Sequence, residues 1–98
     1  MSERSLVYTR DAREQLDGVS EYTLLTWGEV QEARYMQRLY SGIDQLRQYP
    51  NRGKRRDELE HCLLSYRIDK HFVFCRASTE SITVVAVLHE RMDPKRLL

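Results

Sequence analysis

The longest unbroken hydrophobic pattern in the chain is Ile82-Thr83-Val84-Val85-Ala86-Val87-Leu88, seven residues that are all apolar or β-branched. Both alternating faces of a strand here would be apolar, which predicts a strand covered on two sides in the interior of a sheet. The polar segment His89-Glu90-Arg91-Met92-Asp93 closes it abruptly. Upstream, Ser5-Leu6-Val7-Tyr8 is a short β-prone run and predicts a first strand. Thr9 then offers an oxygen to cap a helix, with Asp11 and Glu14 near its positive end. Ala12, Leu16, Val19, Thr23 and Trp27 follow at helical spacing, and Gly28 can end the element, so a helix is predicted over 10–27.

A second helix follows without a loop, its apolar line running through Val30, Ala33, Met36, Tyr40, Ile43 and Leu46. So short a joint makes the two helices an antiparallel hairpin with Trp27 at its tip, where the ring is expected to pack into the hairpin. Tyr49-Pro50-Asn51-Arg52-Gly53 is turn chemistry. Strands are predicted over 63–68 and 71–76, joined by a tight turn at Asp69-Lys70, and Ser78-Thr79-Glu80-Ser81 turns the chain into the long apolar strand. Asp93-Pro94 stops that strand ahead of a short terminal turn ending in Leu97 and Leu98. The order β-α-α-β-β-β gives an α+β fold, a helix hairpin across one face of an antiparallel sheet ending in a three-stranded meander. The first strand is expected to pair with the meander at an edge the pattern does not specify.

Length and composition narrow this picture. The 98 residues fit a single domain, and 41% hydrophobic with 32% charged residues fits a globular chain. No apolar run reaches the ~18 residues that span a bilayer, and Met1-Ser2-Glu3-Arg4 does not open a signal peptide, so a cytoplasmic protein is expected. Cys62 and Cys75, far apart, read as ordinary thiols, and the three histidines form no metal-spaced group with them. Neither a metal nor a cofactor is expected. The net charge of +1 conceals an asymmetry: three bases against seven acids through Ala33 (net −4), thirteen against eight beyond it (net +5). The sharpest basic run is Arg52-Gly53-Lys54-Arg55-Arg56, which suits an acidic partner, RNA phosphates or simply a solvated loop.

No glycine-rich phosphate loop and no spaced nucleophile–base pair is present. The chemistry left is a polar group drawn from the meander: Arg67, His71, Arg76, His89 and Arg91. If these gather on one rim, Arg67 could hold a phosphate while His71 and His89 move protons, as an RNase requires. The same residues serve equally well as solvent-facing partners on strands whose other positions build the core.

Several fragments, in order, resemble the ParE-type toxins of the RelE/ParE superfamily. They are Tyr8-Thr9-Arg10-Asp11-Ala12, Tyr22-Thr23, Trp27-Gly28, the connection Pro50 to Leu59, Leu64-Ser65-Tyr66, His71-Phe72-Val73-Phe74 and the ending Leu88-His89-Glu90-Arg91-Met92-Asp93. The resemblance covers nearly the whole chain and implies the same helix-hairpin-on-sheet fold. It further implies the toxic half of a type II toxin–antitoxin pair that poisons DNA gyrase by binding rather than by its own catalysis. A cognate, ParD-like antitoxin would neutralise it, as a hetero-oligomer or beside a homodimer of the toxin. Direct nucleic-acid binding is not expected of the chain alone, nor is a membrane. The RelE branch shares the fold but cleaves mRNA on the ribosome, and a non-toxic protein-binding module of the same fold is the other alternative. Phe72 and Phe74 stand where that branch places a basic residue, which favours the gyrase branch. The residues expected to meet the target are His89, Arg91, Met92 and Asp93, with Trp27.

Overall fold

The computed structural model describes residues 4–98, so the reading of Met1–Glu3 lies outside the described residues. The first strand, β1 (Ser5–Tyr8), leads into helix α1 (Arg10–Trp27). Thr9 starts that helix, its Oγ1 accepting from the Ala12 backbone N–H at 3.1 Å. Gly28 alone separates α1 from α2 (Glu29–Gln45): its N–H donates to Leu24 and its carbonyl accepts from Glu32. One residue thus ends one helix and begins the next at φ +90°, a conformation that side-chain-bearing residues rarely adopt. A 3-10 turn at Pro50–Arg52 leads to β2 (Lys54–Arg55), and the chain continues through β3 (Leu64–Ile68), β4 (His71–Ala77), β5 (Ser81–His89) and the short helix α3 (Pro94–Leu97).

The sheet order is β1-β5-β4-β3-β2. The meander β3-β4-β5 is antiparallel, as its two-residue and three-residue connections demand. Asp69 takes φ +54° in the first turn, and Ser78 Oγ accepts the backbone N–H groups of Glu80 and Ser81 in the second. The first strand lies against the meander's last one and runs parallel to it, so the sheet is mixed where a wholly antiparallel one was expected. The long helical crossover between β1 and β5 makes the parallel pairing possible. The strand β2, only two residues, lies in the basic run read from sequence as turn and loop; it pairs with Leu64 and Ser65 at the opposite edge.

The long apolar strand is interior, between β1 and β4. Its unbroken hydrophobicity has a specific cause. Phe74 pairs with Ala86 but Cys75 pairs with Val84, leaving Val85 without a partner on β4. Such a bulge exchanges the two faces of a strand. Before it Ile82 and Val84 point toward the helices; after it Val87 does, while Ala86 and Leu88 join Phe74 and Leu63 on the other side. The main core packs Ala12 and Leu16 of α1 and Tyr35, Met36, Leu39 and Ile43 of α2 over Val73, Val84 and Val87. The buried line of α2 therefore passes through Tyr35 and Leu39; Val30 and Tyr40, placed on it from spacing, are exposed, as is Ala33.

β1 ends opposite Val84, which leaves the outer edge of β5 open beyond that point. The start of α1 seals it: the Thr9 backbone N–H and Oγ1–H donate to the carbonyls of Val84 and Val85, and Gln15 Oε1 accepts from Val87 N–H at 2.7 Å.

Candidate functional site

Sealing β5 with α1 leaves a groove of about 730 Å³ between the hairpin and the end of the sheet. Val19, Tyr22 and Trp27 of α1 form one wall and Tyr35 and Arg38 of α2 another; His71, His89 and Met92 close it from the sheet side. Trp27 does not pack into the hairpin as its sequence context suggested. It is 67% exposed, beside Tyr22 at 66%, and Met92 at 47% lies on the same groove. At the joint α1 ends and α2 begins within one residue, which holds both flanks to the turn and leaves no second layer to bury the ring.

The sheet end of the groove carries a ring cluster. Tyr35 Oη accepts from the Lys70 backbone N–H at 3.3 Å and shares a hydrogen bond with His71 Nδ1, 2.5 Å away. With a neutral His71 protonated on Nε2, the phenol is the donor in that bond. Burial, assisted by neighbouring His89, pushes the His71 pKa down to about 4. Burial also raises Tyr35, which keeps the phenol protonated as the donor. The His71 and His89 rings meet edge-on with centroids 5.3 Å apart. Arg38 lies over the Tyr35 ring and reaches Asp69 Oδ2 at 3.1 Å, closing the groove on that flank.

Of the residues expected at the target surface, Trp27 comes together here with His89 and Met92, more than sixty residues further along the chain. Arg91 and Asp93 do not line the groove. The Arg91 backbone N–H donates to His89 Nδ1 at 3.1 Å, and its side chain is exposed. Asp93 starts α3, its carboxylate accepting from the Lys95 backbone N–H at 3.0 Å.

The RNase constellation is not assembled. His71 and His89 face the helices, whereas Arg67 pairs across with Phe72 on the opposite face and binds Glu90 at 2.5 Å. Strand alternation is the reason, because His71 pairs with Ile68, and Arg67, one residue before Ile68, points to the other face. Among the described residues, no group of three or more His, Cys, Asp or Glu side chains gathers where it could hold a metal. Cys75 is buried, with its thiol pKa pushed up to about 11, and Cys62 is exposed.

A family model described as the ParE toxin of the parDE type II toxin–antitoxin system matches residues 6–94 of this chain. The chain belongs to the ParE toxin family. A ParE toxin of Escherichia coli is 40% identical, with 89% of this chain and 85% of that protein covered. The ParE1 toxin of Mycobacterium tuberculosis is 33% identical with both chains fully covered. Among solved structures, a chain of the chromosomal ParDE system of P. aeruginosa superposes with a TM-score of 0.76 at 18% identity, covering 89% of this chain and 96% of that one. A YoeB/ParE toxin from Agrobacterium tumefaciens superposes at 0.58 with 19% identity. As a ParE-family chain, this protein is the toxin component of a type II toxin–antitoxin system. Among the described residues, no helix is long and apolar enough to cross a membrane.

Sequence reasoning missed Tyr22, Tyr35 and Arg38 as groove residues. Tyr22 and Tyr35 carried a signal in retrospect: each adds a large ring to a helix beyond what its predicted core line required.

Proposed function

We propose that this toxin acts in the cytoplasm as a binding inhibitor of DNA gyrase and is held inactive by a cognate antitoxin. Gyrase supplies the covalent DNA chemistry, and the toxin traps the cleaved state through its greater affinity for it; a ligand shifts a population only by such a difference. The observation that carries the proposal is the convergence of Trp27, His89 and Met92, with Tyr22, on one open apolar groove. Rigid aromatic anchors beside such a groove are what a protein partner's hot spot requires. Arg91 and Asp93 extend the contact at the rim. The site offers little for catalysis near neutral pH: His71 is neutral with Nδ1 already bonded, and Arg67 lies across the sheet. The antitoxin is proposed to carry an acidic, amphipathic neutralising segment, apolar toward the groove and negative toward the basic C-terminal half.

The purified chain is tested in a gyrase supercoiling and cleavage assay and, in parallel, in a translating extract read by primer extension. Loss of supercoiling with accumulation of cleaved DNA is expected. Cut mRNA with gyrase untouched would overturn the proposal. Co-expression with the neighbouring reading frame is expected to restore growth.

A further inference from the structure

The basic run at 52–56 is not used by the groove. It lies on the sheet face turned away from the helices. There Arg52, Lys54 and Arg56 meet Arg67 of β3 beside the half-buried ring of Phe72, around an open pocket of about 460 Å³. Register assembles it: Lys54 pairs with Ser65 and Arg67 with Phe72, and the Arg56 backbone N–H continues the β2–β3 ladder to Leu63. Lys54 and Arg56, two residues apart on an extended segment, stand about 6.6 Å from one another along the chain.

Three of the four cations are held on rings. The guanidinium carbon lies 5.6 Å from the Phe72 centroid for Arg67, 5.9 Å from Phe74 for Arg56 and 4.8 Å from Tyr49 for Arg52. Stacking of this kind fixes the planar forks; Arg67 Nε also donates to the Asp69 carbonyl at 2.9 Å and Arg56 Nη1 to Ser65 Oγ at 3.5 Å, and the N–H groups beyond these are the ones an oxyanion would take. One carboxylate, Glu58, lines the pocket and pairs with Arg56 at 2.7 Å, and Glu90 pairs with Arg67 from the rim. Arg52 meets the neutral Gln45 Oε1 at 2.9 Å, and no carboxylate of the described residues reaches Lys54 within ion-pair distance. Positive charge is in excess.

We propose that this face binds single-stranded DNA through its phosphates, a surface separate from the apolar groove and contrary to the expectation that the chain alone makes no nucleic-acid contact. The choice of DNA rests on the gyrase reading, which places the toxin beside a cleaved DNA segment. Nucleic acid is favoured over an acidic peptide by the pairing of a row of cations with the half-buried ring of Phe72, since single-strand binders combine a cationic track for the backbone with aromatic rings for the bases. A carboxylate-bearing peptide would need the cations but not the ring. The strand would be held and not cut, since His71 and His89 lie on the opposite face.

The test is fluorescence anisotropy of a labelled 20-nucleotide DNA strand titrated with the full chain over a series of salt concentrations. RNA of the same sequence and polyglutamate serve as competitors. With about four phosphate contacts, log K is expected to fall against log salt with a slope near −3. The double variant Arg52→Ala/Lys54→Ala should lower that slope by roughly 1.4 and weaken binding tenfold or more. Lys95→Ala/Arg96→Ala, an equal loss of charge on α3, should leave the slope unchanged. Absence of DNA binding, equal loss in both double variants, or tighter binding of RNA or polyglutamate would overturn the proposal. DNA binding by a chain that leaves gyrase untouched removes the gyrase reading alone, and gyrase inhibition without DNA binding removes this one alone.

Discussion

The Tyr35–His71 bond concentrates several consequences of packing in one atom pair. His71 pairs with His89 across the strand and lies under the second helix, so it is held dry and neutral. Because its folded pKa of about 4 lies below the ordinary value of 6.5, the unfolded chain takes up a proton at higher pH than the native one does. Its contribution to stability is therefore complete above pH 6.5 and is lost as pH falls from there toward 4, by up to about 2 kcal/mol. Urea titrations at pH 7.5 and pH 4.5 should show this loss. In His71→Gln, which keeps an acceptor for Tyr35 but cannot titrate, the difference between the two pH values should shrink by that amount. An unchanged pH dependence in the variant would assign the loss to other groups.

Two elements account for much of the fold's accuracy. Gly28 carries φ +90° with open space around its Cα, so Gly28→Ala tests backbone strain with no steric clash. A loss of about 1–3 kcal/mol is expected, a fall of roughly 5–15 °C in melting temperature, with α1 and α2 otherwise intact. On β5, Val85 sits at the bulge half-exposed while Ala86 is buried behind it. Ala86→Asp should prevent folding, whereas Val85→Asp should leave a folded chain destabilised by about 1–2 kcal/mol; circular dichroism melts separate the two. The interior, two-sided character of this strand was legible from its composition, and the limits of α1 from Thr9 and Gly28. The phase of α2 was not: two apolar lines compete along that helix, and the line through Tyr35 and Leu39 is selected by contact with β4 and β5, which local spacing does not record. Nor was β2, whose two cations have no strand propensity and gain their ladder from Leu64 and Ser65. The direction of β1 depends on a partner 76 residues away and leaves no local trace.

At the scale of the whole molecule, the candidate site was legible as residues but not as a place. His89 and Met92 were singled out together in the polar ending and Trp27 apart from them at the hairpin tip, and only the sealing of β5 by α1 brings all three to one groove. Arg67 was grouped with the histidines although the hairpin between them puts it on the other face. Trp27 gives the cleanest test of the groove. Being exposed, Trp27→Ala should change stability by less than about 0.5 kcal/mol, while the loss of an aromatic anchor should weaken antitoxin or gyrase binding by about 2 kcal/mol, roughly 30-fold. Calorimetric titration beside a thermal melt reads both, and unchanged affinity would move the contact away from the hairpin tip.

The parallel contact between β1 and β5 also orders events in time. Synthesis delivers Ser5–Tyr8 before its neighbour Ser81–His89, so the first strand waits through 76 residues for its place in the sheet. The hairpin can form early from local contacts, but the groove needs Trp27 from its tip and His89 and Met92 from beyond β5. A nascent chain that stops short of His89 therefore presents a helix pair with an open apolar face and no complete groove. On the binding reading, toxicity arrives all at once, when Met92 joins the groove.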